Sequence, residues 1–318
     1  MRIIAVVSFL ALLPAFGPAG EITNPPAPIG LLEKNTLFAV YGRGFGIAPI
    51  LGHLGAYKDI EAMADDTAGW TKRIAAVNDG KGVVTAIHLI YGEAVPCTGK
   101  GECVQYPGED IVETYIKPAA ARGWVVILDT QLGRADPASQ VRRMIAAGLL
   151  RYDNVHVAID PEFHAGPSQH DPGIPIGTVT AAQINEAQQI LNGYVASEHL
   201  KTKKILIVHQ FGDAAVHDGV PFMIQDKKTV KDFDNVELVI DGDGLGIPEE
   251  KVRKYNLMTN GDIYPFVHFR GIKVFFPNQW EKRGHFDKPP MTVEEIFGLK
   301  AVPGGIKMSV KPNVVIIA

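Results

Sequence analysis

Apolar residues come in short unbroken runs that recur along the chain, with amphipathic stretches between them. LFAVY (37–41), GVVTAIHLIY (82–91), GWVVILDTQL (123–132), NVHVAID (154–160), KKILIVHQF (203–211), NVELVID (235–241) and GIKVFF (271–276) are rich in Val, Ile and Leu. Runs of this kind predict strands buried on both faces. The stretches 57–77, 109–121, 137–150, 180–200, 220–231 and 248–256 have helical character instead. Asp136-Pro137 offers an N-cap followed by proline in the first turn, and Thr180 precedes the periodic segment AAQINEAQQILNGYV. Strands alternating with helices predict a parallel sheet covered on both sides. Seven such units fit a single (β/α)8-type, TIM-like barrel better than a doubly wound open sheet, with Val314–Ile317 as the candidate eighth strand. The open sheet is disfavoured because YGRGFG after the first strand lacks dinucleotide-binding spacing, and no phosphate-binding GxxxxGK motif occurs. The eighth unit, with no helix after its strand, is expected to be irregular.

In such a barrel the chemistry gathers at the C-terminal ends of the strands. Polar residues fall there repeatedly: Tyr41 and Arg43, Tyr91 and Glu93, Asp129 with Gln131 and Arg134, Asp160 and Glu162, His209 and Gln210, Asp241 and Asp243, and Asn278 to Trp280. One polar residue after one strand is as readily a helix cap; seven strands alike make a shared mouth. Side chains alternate across a strand, so Asp129 and Gln131 are expected on one face, as are Asp160, Glu162 and His164, and Asp241 and Asp243. Crowded carboxylates raise one another's pKa, and a protonated carboxyl beside an ionised one is the equipment for cleaving glycosidic bonds. This reading assigns Glu162 as general acid and Asp160 as the neighbour that sets its pKa. Asp241 or Asp129 becomes the second carboxylate. Tyr41, Arg43, Gln131, His209, Gln210, Asp243 and Trp280 become substrate-binding groups.

Other chemistries leave weaker traces. His53, His88, His164, His170, His209 and His217 could join the aspartates in a hydrolytic metal site, but no HxH or HExxH occurs. Asp241-Gly242-Asp243-Gly244 lacks the remainder of a calcium loop. No metal or cofactor is assigned. Arg43 and Arg134 fit either an anionic substrate group or pairing with the acidic cluster, and pairing is the expectation. The absence of a GxSxG elbow argues against serine hydrolysis.

Composition narrows the partners and the compartment. The formal net charge is −4 and no basic run occurs, which gives no support to nucleic-acid or membrane-surface binding. Residues 1–20 read as a cleaved signal peptide: Met1-Arg2, the run IIAVVSFLALLPAF, then small residues around Ala19. Residues 21–36 are a Pro-rich lead-in and 37–318 the barrel. Export leaves no stable membrane anchor and permits a disulfide. The two cysteines, Cys97 and Cys103 in CTGKGEC, are expected to form one that pins a loop.

ILDTQLGR (127–134), VAIDPEFH (157–164), IGTVTAAQIN (176–185), ILIVHQF (205–211) and VIDGDGLG (239–246) resemble, in order and spacing, the motifs of a family of exported bacterial proteins common in actinobacteria. That family has no assigned function. The resemblance implies that Asp129, Gln131, Arg134, Asp160, Glu162, His209, Gln210, Asp241 and Asp243 form one constellation. Phe163 stands where the family usually has Trp, and the lipid-accepting cysteine of many members is lacking. A looser similarity joins Asp160-Pro161-Glu162 to the D-x-E of chitinase-type and lysozyme-type glycosidase barrels. The expected activity is therefore a secreted glycoside hydrolase acting on an extracellular or cell-wall polysaccharide. The rivals are a metal-assisted hydrolase of esters, amides or phosphates and a non-catalytic carbohydrate-binding barrel.

Overall fold

Eight parallel strands pair edge to edge until the last meets the first. They are β1 (Asn35–Gly42), β2 (Gly82–Ala94), β3 (Val125–Thr130), β4 (Val155–Ile159), β5 (Lys204–Gln210), β6 (Val236–Gly242), β7 (Phe269–Val274) and β8 (Val314–Ile317). The computed structural model describes residues 27–47, 52–166, 170–212, 223–277 and 285–318. β1 pairs with β2 on one side and with β8 on the other, so the sheet closes into a barrel. The chain is thus the single (β/α)8-type barrel that the run pattern predicts. β8 joins β1 in the register Leu37 to Val314 and joins β7 in the register Gly271 to Val314.

Helices α1 (Ile60–Ala75), α2 (Lys117–Ala121), α3 (Pro137–Ala146), α4 (Ala181–Ser197), α5 (Pro248–Met258) and α6 (Val293–Ile296) fill the connections. The start signals act as expected. The Asp136 side chain accepts from Ser139 N–H ahead of α3, and Thr180 forms a capping box with Gln183 ahead of α4. Two helices differ from expectation. The stretch 109–121 opens with a wide π-type turn, Val112–Ile116; Pro118 just inside α2 has no N–H to give to an upstream carbonyl. Within 220–231, the described residues hold a short strand, Ile224–Gln225, paired with Val179–Thr180, and one 3-10 turn, Lys227–Thr229. Asp226 there adopts a left-handed backbone, φ 54°, which interrupts any helix. Among the described residues, the β7–β8 connection carries the four-residue α6 as its one helix.

Parity divides each strand between two cores. Phe38, Val40, Leu89, Leu128, Val157, Val208 and Ile240 face outward and pack beneath the helices. Leu37, Ala39, Ala86, Val125, Ile127, Ala158, Ile205, Ile207, Val239, Val314 and Ile316 fill the barrel itself. Burying such side chains contributes roughly 1.5–3 kcal/mol each. The lead-in does more than approach the first strand: Leu32 is fully buried, and the Leu31 and Leu32 N–H groups donate to Glu237 at 2.8 and 3.0 Å. That contact stoppers the N-terminal end and leaves the other end for chemistry.

Candidate active site at the barrel mouth

Above the apolar filling, the inward positions turn polar on strand after strand. Tyr41 of β1, His88 of β2, Asp129 of β3, His209 of β5, Asp241 of β6 and Lys273 of β7 continue the parity of the interior residues below them, and all are buried. Asp160 follows β4 directly, Asp243 follows β6, and both are buried as well. So dense a set of charges inside a barrel is stable only if the members satisfy one another.

They largely do. His209 Nδ1 lies 2.7 Å from Asp241 Oδ2, and its Nε2 lies 3.3 Å from Asp129 Oδ2. His88 Nε2 lies 3.2 Å from the same Asp129 oxygen and 3.4 Å from His209 Nε2. Lys273 Nζ donates to Asp243 Oδ2 at 2.9 Å and sits 3.8 Å above the Tyr41 ring. Burial opposes the charge on His209, but Asp129, with Asp241 beside it, holds its pKa well above the usual value. Burial would raise Asp129, and the two histidines outweigh it, so this carboxyl stays ionised. Lys273 and His209 do the same for Asp243 against its burial. His88 moves the other way: burial lowers it, with Asp129 opposing. Asp129 Oδ1, Asp241 Oδ1 and His88 Nδ1 are buried with no hydrogen-bond partner among the described residues. Room for the Asp241 carboxylate comes from Gly271 on β7, where a Cβ would lie 2.5 Å from Asp241 Oδ1.

Asp160 and Glu162 reach the mouth by a route that strand alternation does not describe. β4 ends at Ile159, and Pro161–Phe163 forms a 3-10 turn whose cap is Asp160; its carboxylate accepts from Glu162 N–H at 3.2 Å. Pro161 fixes its own φ and cannot donate to a ladder, so the strand stops there. His164 therefore leaves the expected face, and its Nδ1 sits 2.5 Å from Thr178 O. The Glu162 carboxyl has no hydrogen-bond or ion-pair partner among the described residues. Burial, with Asp243 nearby, pushes it up to about 7, partly offset by Lys273 and His209. Burial also raises Asp160 well above the ordinary carboxyl value, and neighbouring Glu162 adds to the rise while His209 opposes it.

The remaining expectations sort by what each side chain touches. Gln131 accepts from Ala94 N–H at 3.0 Å and holds β2 to β3. Gln210 has the outward parity of β5 and accepts from Lys227 Nζ at 2.8 Å. Arg43 pairs with Glu93 at the mouth, not with the barrel aspartates. Arg134 donates to Gly99 O at 2.7 Å, inside the loop closed by the Cys97–Cys103 disulfide. The expected pairing of both arginines with the acidic cluster is thus corrected: the aspartates take their cations from within the barrel. A cavity of about 420 Å³ beside the ends of β1 and β2 is lined by Arg43, Glu93, Tyr91 and Tyr106, with the two tyrosine rings 5.2 Å apart. Trp280 and His217 lie outside the described residues. His53 packs on Tyr57 at 5.6 Å, and His170 is exposed.

Lys273 went unnoticed in the sequence, although a lysine inside the apolar run GIKVFF is the signal that finds it. His88, one of six candidate histidines in the sequence, lies against both Asp129 and His209. Two groups can offer an ion three ligand atoms within 4.8 Å of one another: His88, Asp129 and His209, and His209, Asp241 and Asp243. Among the described residues no helix is long and apolar enough to cross a membrane. Searches against protein-family models and curated proteins find no match to this chain.

Proposed function

We propose that the chain is a secreted hydrolase of glycosidic bonds in an extracellular polysaccharide, with Glu162 as proton donor and Asp243 as the ionised carboxylate. One observation carries this reading: a mostly buried carboxyl with no cation partner shares the mouth with a second carboxyl clamped by a buried lysine. The two environments drive the two acids apart, which is how one stays protonated while its neighbour stays charged. Asp243 is a better second carboxylate than Asp129 or Asp241, because those two hydrogen-bond to His209, which lies 3.6 Å from Asp243, and Asp243 bonds to Lys273 instead. In the reaction the Glu162 proton passes to the glycosidic oxygen as the bond to the anomeric carbon breaks. Asp243 faces the positive charge that develops on that carbon. Water then supplies hydroxide to the carbon and returns a proton to Glu162. The tyrosine-lined cavity beside β2 offers flat apolar surface for a neighbouring sugar ring.

The disulfide and the apolar N-terminal run support export, and the strand-end motifs support kinship with the exported family of unassigned function. The test is turnover on a panel of polysaccharides. Glu162→Gln should cut turnover by about 10²–10⁴-fold with the fold intact. Full activity in that variant would overturn the reading, as would glycans that raise the melting temperature but are never cleaved.

A further inference from the structure

Beneath Glu162 and Asp243, on different atoms, lies an arrangement the proton-transfer reading does not use. We propose that His88 Nε2, His209 Nε2 and Asp129 Oδ2 form a three-ligand site for a divalent cation of the zinc class. The three atoms make a nearly equilateral triangle with edges of 3.2, 3.3 and 3.4 Å. A tetrahedral ion with bonds of about 2.0–2.1 Å separates its ligand atoms by about 3.3–3.4 Å, so the triangle has the size of one face of that polyhedron.

Hydrogen bonding and ion binding draw on the same three atoms, and hydrogen bonding leaves Asp129 Oδ1 and His88 Nδ1 unpartnered among the described residues. His209 Nδ1, 2.7 Å from a carboxylate oxygen, carries a hydrogen and donates it to Asp241. Its Nε2 stands 3.3 Å from Asp129 Oδ2, where a bound cation would take the place of the proton that the charged ring carries. With no ion present, Asp129 Oδ2 is the shared acceptor for both Nε2 atoms. One cation at the centre accepts all three lone pairs at once. The surroundings match a metal shell: a ligating histidine characteristically donates its other N–H to a carboxylate, as His209 does to Asp241. His88 Nδ1 is buried with no partner among the described residues, so the ring can carry its hydrogen there and leave Nε2 to coordinate. Asp129 Oδ1, buried and unpartnered, is placed to accept from a water in the fourth position.

The ligand types, two imidazoles and a carboxylate, select zinc and its borderline neighbours over magnesium or calcium, which prefer all-oxygen shells. The second group, His209 with Asp241 and Asp243, is the weaker candidate. His209 Nδ1 is committed as a donor, and Lys273 already places a positive charge 2.9 Å from Asp243.

The test is metal binding by the whole protein, stripped with chelator and titrated separately with Zn²⁺, Co²⁺ and Mg²⁺. One equivalent of Zn²⁺ should bind and raise the melting temperature, and Co²⁺ should give the intense visible bands of a tetrahedral site. Mg²⁺ should do neither. His88→Ala and Asp129→Asn should abolish the Co²⁺ bands, and Asp241→Asn should weaken Zn²⁺ affinity about 10–100-fold without abolishing it. Wild-type protein that takes up neither Zn²⁺ nor Co²⁺ overturns the proposal, whatever the variants do. So does Co²⁺ binding that survives both substitutions. Loss of glycoside cleavage in Glu162→Gln bears on the acid alone, so either reading can fail without the other.

Discussion

Each end of the barrel buries histidine and carboxylate on its inner wall, and the two ends treat them differently. At the closed end, Glu237 of β6 accepts two backbone N–H groups from the lead-in, and His156 Nδ1 of β4 accepts from Ile205 N–H at 3.1 Å. That N–H needs a partner because β4 and β5 begin to pair only at Val157 and Leu206. At the open end, Asp241 lies four positions along the same strand from Glu237, with the same parity, yet it bonds only to another side chain and keeps one oxygen unpartnered. Polar groups tied to backbone hold the chain in place. Polar groups tied to one another, with capacity left over, are arranged for something that arrives later.

The largest expected contrast comes from making the same change in two buried glutamates. Glu162 has an ordinary pKa of 4.5 and is raised to about 7 in the fold. A raised carboxyl contributes stability that is fully present below 4.5 and is lost as pH rises through 7, because the unfolded chain releases its proton first. Glu162→Gln removes that loss. Its stability relative to the wild type should climb between these two values and level off at about 3 kcal/mol above neutrality. Urea unfolding across that range reads the difference, and a flat difference would remove Glu162 from the buried acids. The variant that gains stability is the one expected to lose turnover, the usual exchange at a functional site.

Burial raises the Glu237 pKa too, against its two backbone hydrogen bonds, but at neutral pH Glu237→Gln should act with the opposite sign because a backbone partner is lost. The amide keeps one acceptor but turns its NH₂ toward the second backbone N–H. About 1–2 kcal/mol of stability should be lost at neutral pH, with turnover per folded molecule unchanged. A gain in stability there would mean that the two ends do not differ as their hydrogen bonds imply.

The same contrast explains what could be read from the chain alone. Barrel strands are apolar on both faces whatever they do, so seven runs and Val314–Ile317 stood out, and the aspartates at their ends marked the mouth. Asp129 and Asp241 could be placed by parity because their strands run straight through them, and Asp243 follows β6 by one residue. Glu162 could not, since Pro161 replaces strand with a 3-10 turn. Nor could the meeting of His88 with His209, 121 residues apart, because barrel closure sets that contact and no local spacing encodes it. A lysine or histidine inside an apolar run shows only that it is buried; its partner lies on another strand. The stopper at the closed end was hidden for a related reason: Leu31 and Leu32 look like the tail of a Pro-rich segment until Glu237 is brought beneath them.

The smallest expected effect belongs to His156, and its sign is what makes it informative. Burial, with the Lys204 charge nearby, holds its pKa well below the ordinary 6.5, so the folded protein keeps the ring neutral. The unfolded chain takes up a proton as pH falls below 6.5, and the wild type loses stability there at up to about 1.4 kcal/mol per pH unit. Asparagine presents an oxygen near the position of Nδ1 and does not titrate. His156→Asn should therefore cost about 1 kcal/mol at neutral pH through lost packing volume. That deficit should shrink on acidification and reverse roughly one pH unit below 6.5. The direction is opposite to that of Glu162, whose contribution to stability grows as pH falls. A deficit that stays constant with pH would mean that the His156 ring already titrates normally in the fold.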